Sequence, residues 1–399
     1  MYINLSEDNK KELKGFKHRS KMRFAYLKKS LTLMFFLILL ALPIFKSYGQ
    51  EAFEGMEGLF TAPKHYIVHY VENAPIIDGD LKDPAWEAAA WSDKFIDIEG
   101  AQKPLPPVDT RVKMVWDKEY MYIAAYLEEP HIWANLKNHD DIVFYDNDFE
   151  VFLDPDNDTH QYFEIEVNAF NTIFDLFIPK PYRNGGSALI SWDISRLQSA
   201  VQVKGTINDP SDTDEHWTIE MAVPFKAVSL GNRARIPEEG TVWRINFSRV
   251  QWDTQVEDDK YVKKKDKNGK TLSEHNWVWS PQGVVNMHFP ERWGYLMFSR
   301  KSTQDLAENF PLPSTEALKP YLWLIYYKQK EYYHKHGHYA NTLSEIGLNH
   351  YAELTINDQP YSLKVEATAR QFMAMIQGHE KTSLCINQEG LIQNINPTR

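Results

Sequence analysis

Cysteine is almost missing: Cys385 is the only one in 399 residues. No intramolecular disulfide can form, which excludes a small disulfide-stapled scaffold and leaves the core alone to hold any exported domain together. Tryptophan is absent from the first 85 residues and then occurs twelve times, so the folded, aromatic-rich part is expected after that point. Long apolar runs are scarce as well. Leu31 to Phe45 is 15 residues long, short of the roughly 20 that a membrane-crossing helix needs. It follows Lys28 and Lys29 and precedes Ser47, Tyr48 and Gly49, the pattern of a secretory signal with Gln50 as the new terminus. Residues 1–49 therefore read as leader and signal peptide, with Met22 as an alternative initiator. The mature chain is expected to carry no integral membrane span and to be periplasmic, cell-surface or extracellular. Basic charge is also in deficit. The formal net charge is −11, and without residues 1–49 it becomes −18, from 34 basic against 52 acidic side chains. That field repels phosphate backbones and argues against a nucleic-acid partner. No phosphate loop, nucleophile elbow or metal-protease helix motif occurs.

What is abundant is alternation. In DNDFEVFLDPDNDTHQYFEIEVNAFNTIFDLFI, from Asp146 to Ile178, Phe149, Val151 and Leu153 alternate with Asp148, Glu150 and Phe152. Phe163, Ile165 and Val167 likewise alternate with Glu164, Glu166 and Asn168. Each run has one apolar and one mostly polar edge, as an antiparallel meander with one buried face requires. Asp154 to Asp158, then Asn168 and Asn171, supply the turns. Further strands are expected at Tyr66–Val71, Lys94–Glu99, Thr110–Trp116, Tyr120–Leu127, Ala200–Gly205, Trp217–Val223, Val242–Val250, Trp277–Pro281 and Trp293–Phe298. Asp83-Pro84 suits a short helix start that turns Trp86 inward. Asn268-Gly269 favours a tight hairpin tip inside a solvated lysine-rich stretch. The glycines of KPYRNGG, from Lys180 to Gly186, could let that loop's backbone approach a ligand. The fold class expected is mainly β: an antiparallel β-sandwich of immunoglobulin-like or jelly-roll type over residues 65–300. A small α+β appendage is expected over residues 314–396, with a helix from Ser314 to Tyr333 burying Leu318, Leu322 and Ile325.

The segments DGDLKDPAW, TRVKMVWDKEYMYIAAYL, DNDFEVFLDPDND, WRINFSRV and NWVWSP, followed by HFPERWGYLMF, occur in one order across about residues 66–299. Together they resemble the family 9 carbohydrate-binding modules and their relatives in a DOMON-like superfamily. The resemblance implies a β-sandwich that binds oligo- or polysaccharide, with glycoside hydrolases as partners and structural calcium in the scaffold. The family glutamate falls on Glu150 and the amide of a later strand on Asn246. One of two sugar-sandwiching tryptophans falls at Phe144, with Tyr145 beside it, and the other at Met287; a family arginine falls on Glu166. These departures leave the sandwich expected while removing the pattern of a reducing-end glucose site. The tail, notably YYHKHGHYANTLSEIGL, weakly resembles the globular part of a pilin or pseudopilin.

Other residues suit a planar, polar-edged ligand: Arg183, Trp192, Arg249, Trp252, Asn276 and His288. Arg249 is equally suited to neutralise Glu150 or Glu166. Asp154, Asp156 and Asp158 alternate in a way that suits calcium, while lacking the glycine and distal glutamate of an EF-hand loop. Glu150, Glu164, Glu166 and Asp175 could supply the carboxyl pair of a glycoside hydrolase. Met287 and His288 are the axial-ligand candidates for a haem-binding redox module. The reading favoured is an exported, noncatalytic carbohydrate-binding protein assisting polysaccharide breakdown, with the hydrolase and redox readings as alternatives.

Overall fold

The computed structural model describes residues 63–230, 236–301, 310, 312–378 and 383–395. The leader and signal expected at residues 1–49 lie outside the described residues. Among the described residues no helix is long and apolar enough to cross a membrane.

Strands β1 (His65–Tyr70), β2 (Ile96–Asp97), β3 (Thr110–Trp116), β4 (Tyr120–Glu128), β5 (Asp148–Asp154), β6 (Tyr162–Asn168) and β7 (Ile173–Ile178) open the chain. They are followed by β8 (Gln198–Lys204), β9 (His216–Pro224), β10 (Val242–Gln251), β11 (Thr254–Glu257), β12 (Lys260–Lys263), β13 (His275–Val278) and β14 (Gly294–Ser299). All but β11 and β12 join one sheet in the order β7-β6-β5-β10-β14-β1-β3-β4-β9-β8, with β13 and β2 attached beside β10. The sheet curls on itself. Val151, Ile165 and Phe247 from one half meet Met114, Ile123 and Ile219 from the other in a single core cluster, which makes the architecture a two-layer β-sandwich. Pairing is antiparallel except at β1, which runs parallel to both β14 and β3 and so stitches the two halves together. Trp86 is buried as expected, its indole N–H donating to Glu220 Oε1 at 2.7 Å.

The lysine-rich stretch has a hairpin tip at Asn268-Gly269 as expected, with Lys265 and Thr271 bridged antiparallel across it, and is preceded by a strand hairpin that was not expected. That strand hairpin is β11–β12, and it turns at Asp258 and Asp259, whose φ values of 48° and 56° put both in the left-handed region that a type I′ turn requires. Asn268 and Gly269 form a separate tight turn closed by Asp266, which accepts the Asn268 and Lys270 amides. Lys263 lies over the Trp252 ring at 3.3 Å, so one lysine of the run is held by an aromatic face.

Beyond the sandwich, a single 3-10 turn (Ser314–Ala317) leads into α1 (Lys319–His336), which ends where Gly337 takes φ 75° and its amide caps Tyr333 O. Leu318, Leu322 and Ile325 are fully buried. The five-stranded meander β15 (Glu353–Ile356), β16 (Gln359–Ala367), β17 (Phe372–Gly378), β18 (Ser383–Asn387) and β19 (Ile392–Asn394) follows. The α+β part packs on the sandwich through buried polar groups. Glu316 accepts from Tyr295 Oη at 2.7 Å and Asn157 Nδ2 at 3.0 Å, with Lys319 Nζ at 2.8 Å and Arg244 Nη2 at 3.5 Å.

Burial alone would raise the Glu316 carboxyl, but Lys319 and Arg244 outweigh it and hold the group below its ordinary value of 4.5. Its contribution is therefore present above pH 4.5 and lost on further acidification. Glu316→Ala leaves two buried cations uncompensated and is expected to destabilise by about 3–5 kcal/mol in urea denaturation at pH 7, with the loss shrinking as the pH falls below 4.

Candidate functional site

The outer face of β7-β6-β5-β10-β13 carries a pocket of about 380 Å³. Its floor follows from strand alternation. The register pairs Glu150 with Glu166 and Phe152 with Glu164 across β5 and β6, and Phe174 and Leu176 come alongside on β7. Since Phe149, Val151, Phe163 and Ile165 point into the sandwich core, their neighbours necessarily point out onto this face. Val250 and Asn276, directly opposite one another on β10 and β13, complete the floor. The walls are Phe144 and Ile142 on one side, Tyr182 and Ile190 on another, and Asn286, Met287 and His288 on a third.

The Phe144 wall is fixed from both sides. Its amide donates to Glu166 Oε2 at 2.9 Å, and its carbonyl accepts the Trp252 indole N–H at 2.9 Å. Trp252 is itself anchored, its amide donating to Asn147 Oδ1 at 2.8 Å. On the opposite wall His288 Nδ1 is hydrogen bonded to Tyr162 Oη at 2.9 Å, and Tyr182 meets the His288 ring edge-on at 4.3 Å between centroids. Burial, with the nearby Arg183, pushes the His288 pKa down to about 4, so its ring is neutral at pH 7.

The floor is densely acidic and buried. Asp148, Glu150, Glu164 and Glu166 are each no more than 5% exposed. Desolvation pushes Glu150 up to about 7, and burial together with mutual repulsion holds Asp148, Glu164 and Glu166 well above the usual carboxylate range. No lysine or arginine is among the described residues lining the pocket. Such a surface offers hydrogen-bond donors and acceptors at a floor flanked by aromatic rings, the pattern that suits a hydroxyl-rich ligand with apolar ring faces.

Of the residues expected to bind ligand, the pocket brings together Phe144, Glu150, Glu166, Asn276, Met287 and His288. The others do different work. Tyr145 lies outside the lining, half exposed with its ring 4.7 Å from Phe144. Trp252 braces Phe144 from behind. Trp192 is half-buried and packs against the inter-layer core on Phe163, 5.0 Å between ring centroids. Asn246 is fully buried, its Oδ1 accepting the Phe247 and Ser280 amides and its Nδ2 donating to Ser280 O. Arg249 points inward and pairs with Glu129 at 2.7 Å, not with Glu150 or Glu166; residue parity on β10 puts it on the core side with Phe247. Arg183 donates to Glu291 at 2.9 Å and to His288 O at 3.0 Å beneath the Phe289 ring. The KPYRNGG loop thus divides: Tyr182 lines the pocket, while Asn184 donates to Glu389 O and accepts from Tyr326 Oη of the α+β part. Gly186 is required there because a Cβ would fall 1.7 Å from Lys180 O.

Phe152, Glu164, Phe174 and Tyr182 were not selected from the sequence as ligand-binding residues. The signal for the first two was present: they sit two residues from Glu150 and Glu166 on the same strand faces. Asp154, Asp156 and Asp158 do converge, offering carboxylate oxygens within 4.8 Å of one another. Asp154 closes the turn by accepting the Asn157 and Thr159 amides at 3.0 and 2.9 Å. Burial, then Asp156 and Asp158, raise its pKa, and the buried Lys319 ammonium reaches the same turn at Asn157 O. The donor set fits a hard cation, beside an internal one the chain already supplies.

A family model described as carbohydrate family 9 binding domain-like matches residues 77–280. A curated relative, exoglucanase XynX of Acetivibrio thermocellus, is 24% identical over 217 residues, a match covering 53% of this chain and 15% of that relative's length. A family 9 carbohydrate-binding module from Caldicellulosiruptor kristjanssonii in complex with cellotriose is 16% identical, with TM-score 0.38, covering 62% of this chain and all of the other. The structure of such a module from the same organism with glucose is 17% identical, also with TM-score 0.38, 62% of this chain and all of the other.

The raised pKa of Glu150 carries a stability signature. Between 4.5, its ordinary value, and about 7 the unfolded chain loses a proton that the folded chain keeps, so this group lowers stability as pH rises through that window. Glu150→Gln, which removes the buried charge, is expected to raise the melting temperature at pH 8 and to change it much less at pH 5, as read by circular dichroism melts.

Proposed function

The chain belongs to the carbohydrate family 9 binding domain-like family, and on that premise we propose that it is an exported, noncatalytic saccharide-binding protein that uses the pocket on the outer sandwich face. The observation that carries the reading is the pairing, in one concavity, of aromatic side chains from Phe144, Phe152, Phe174 and Tyr182 with hydrogen-bonding groups from Glu150, Glu164, Glu166 and Asn276. Sugar rings present apolar C–H faces to aromatic rings and hydroxyl edges to carboxyl and amide groups. Met287 in place of a second stacking indole makes one wall softer and more adaptable, which favours a branched or internal glycan segment over a clamped chain end. Export is supported by the signal-like run at Leu31 to Phe45, with the periplasm, cell surface or extracellular space as destination. The partner is an oligo- or polysaccharide, and the setting is polysaccharide breakdown alongside glycoside hydrolases. In the scaffold, Asp154, Asp156 and Asp158 are the residues that would hold a structural calcium.

The hydrolase alternative is disfavoured by where the acids sit. A glycosidase sets its two carboxyl groups on opposite sides of the scissile bond. Here Glu150 and Glu166 are direct cross-strand neighbours on one floor. In glycan-array binding and affinity electrophoresis the protein is expected to be retarded by at least one polysaccharide. Phe144→Ala and Glu150→Ala are each expected to weaken that retardation about tenfold, near 1.4 kcal/mol, and Trp252→Ala to weaken it by releasing Phe144. Release of reducing sugar with no retardation would replace this reading by the hydrolase.

A further inference from the structure

The pocket floor holds more carboxylate than the chain neutralises. Across β5 and β6, Asp148, Glu150 and Glu166 each present one oxygen within 4.8 Å of the other two. All three are more than nine-tenths buried. Glu166 accepts the Phe144 amide, and Asp148 Oδ1 accepts the Val250 amide at 3.3 Å. Asp148 Oδ2 and Glu150 Oε2 are buried without a partner among the described residues, as is Oε2 of the adjacent Glu164. Unpartnered buried carboxylate oxygens are costly, and a cluster of them in a pocket with no lysine or arginine among the described lining residues calls for a cation or for protons. Oxygens bound to one calcium-sized ion at 2.3–2.6 Å lie at most about 5 Å apart, and the three carboxylates meet that spacing together.

We propose that Asp148, Glu150 and Glu166 form a site for a hard divalent cation of the calcium class at the base of the pocket. Glu150 and Glu166 line the pocket, and Asp148, two residues along the same face of β5, is fully buried beside them, so an ion held by the three would keep open coordination positions toward the cavity. Sugar hydroxyls complete its shell, making glycan binding cation-dependent. This site is separate from the Asp154 turn, because Asp148 and Asp154 stand at opposite ends of β5, about 20 Å apart along the strand. The cation half of the inference stands on the floor geometry alone; the sugar half rests on the proposed function.

The test is a terbium titration of the full-length, chelator-stripped protein without glycan, exciting the tryptophans and then competing with calcium. A saturable luminescence phase reversed by calcium is expected that persists when the Asp154 turn is disabled. Glu166→Gln and Glu150→Gln should weaken that phase at least about tenfold, while Asp156→Asn, in the separate turn, leaves it intact. Melting curves in chelator check that each variant is folded. No saturable phase, or one abolished by Asp156→Asn and untouched by Glu166→Gln, overturns the site. Affinity electrophoresis is then run with calcium and with chelator, where at least about tenfold weaker retardation in chelator is expected. Terbium binding with retardation that ignores chelation removes the bridging role, and terbium binding with no retardation by any glycan leaves the cation site standing while the saccharide reading fails.

Discussion

The register of β5 against β6 and β10 is the constraint on which the rest depends. With Glu150 opposite both Glu166 and Ser248, Phe149, Val151, Leu153, Phe163, Ile165, Val167, Ile245 and Phe247 enter the inter-layer core, and the acidic residues leave it together with Phe152 and Val250. A slip of one residue would drive Asp148, Glu150, Glu164 and Glu166 against Phe247 and Trp243 and expose Val151 and Ile165 to the pocket. Four carboxyl groups cannot be accommodated among aromatic rings without partners, so the same pairing that closes the sandwich also builds the acidic floor. Core and site are two faces of one hydrogen-bond ladder.

The α+β part changes what several conspicuous residues are for. Arg183 and Asn184, on a loop that could have reached a ligand, are bound to Glu291, Tyr326 and Glu389 instead. The acidic turn after β5 is bound to the same part through Asn157, Glu316 and Lys319, and Thr159 Oγ1 donates to Gly390 O. His288 is the hinge of this arrangement: its carbonyl is held by Arg183 while its ring lines the pocket. The packing of the α+β part and the shape of one pocket wall are thereby mechanically joined. Desolvation makes each of these contacts stiff, since breaking one leaves a buried charge or amide unpaired.

Much of the site was legible as parity along strands. Glu150 and Glu166 share a face because they occupy out-pointing positions of paired strands, and Phe152 and Glu164 follow by the same rule. Arg249 shows where residue type misleads: an arginine near two glutamates in sequence pattern is on the inward face, and Glu129, outside any strand alternation, is the group it meets. Trp192 and Trp252 illustrate the same limit. Both are large aromatics flanked by polar residues, yet one packs half-buried against the core beside Phe163 and the other props the Phe144 backbone through its indole N–H. The tip at Asn268 and Gly269 was legible from that dipeptide, whereas the neighbouring tip at Asp258 and Asp259 carries no glycine to mark it.

By itself, the sequence determined the mainly β class, the strands and the division of their faces, because period-two alternation and turn-forming residues are local properties of the chain. It also determined that an aromatic and acidic surface would gather around Glu150. Only the tertiary structure decided which aromatics face that surface, that no lysine or arginine is among the described residues lining it, and that Arg183 and Arg249 are occupied elsewhere. Those outcomes depend on which loops and which α+β surfaces pack against the sandwich, on partners such as Glu129, Glu291 and Tyr326 that lie tens of residues away. No local pattern encodes a partner at that distance; only the packed, desolvated arrangement does.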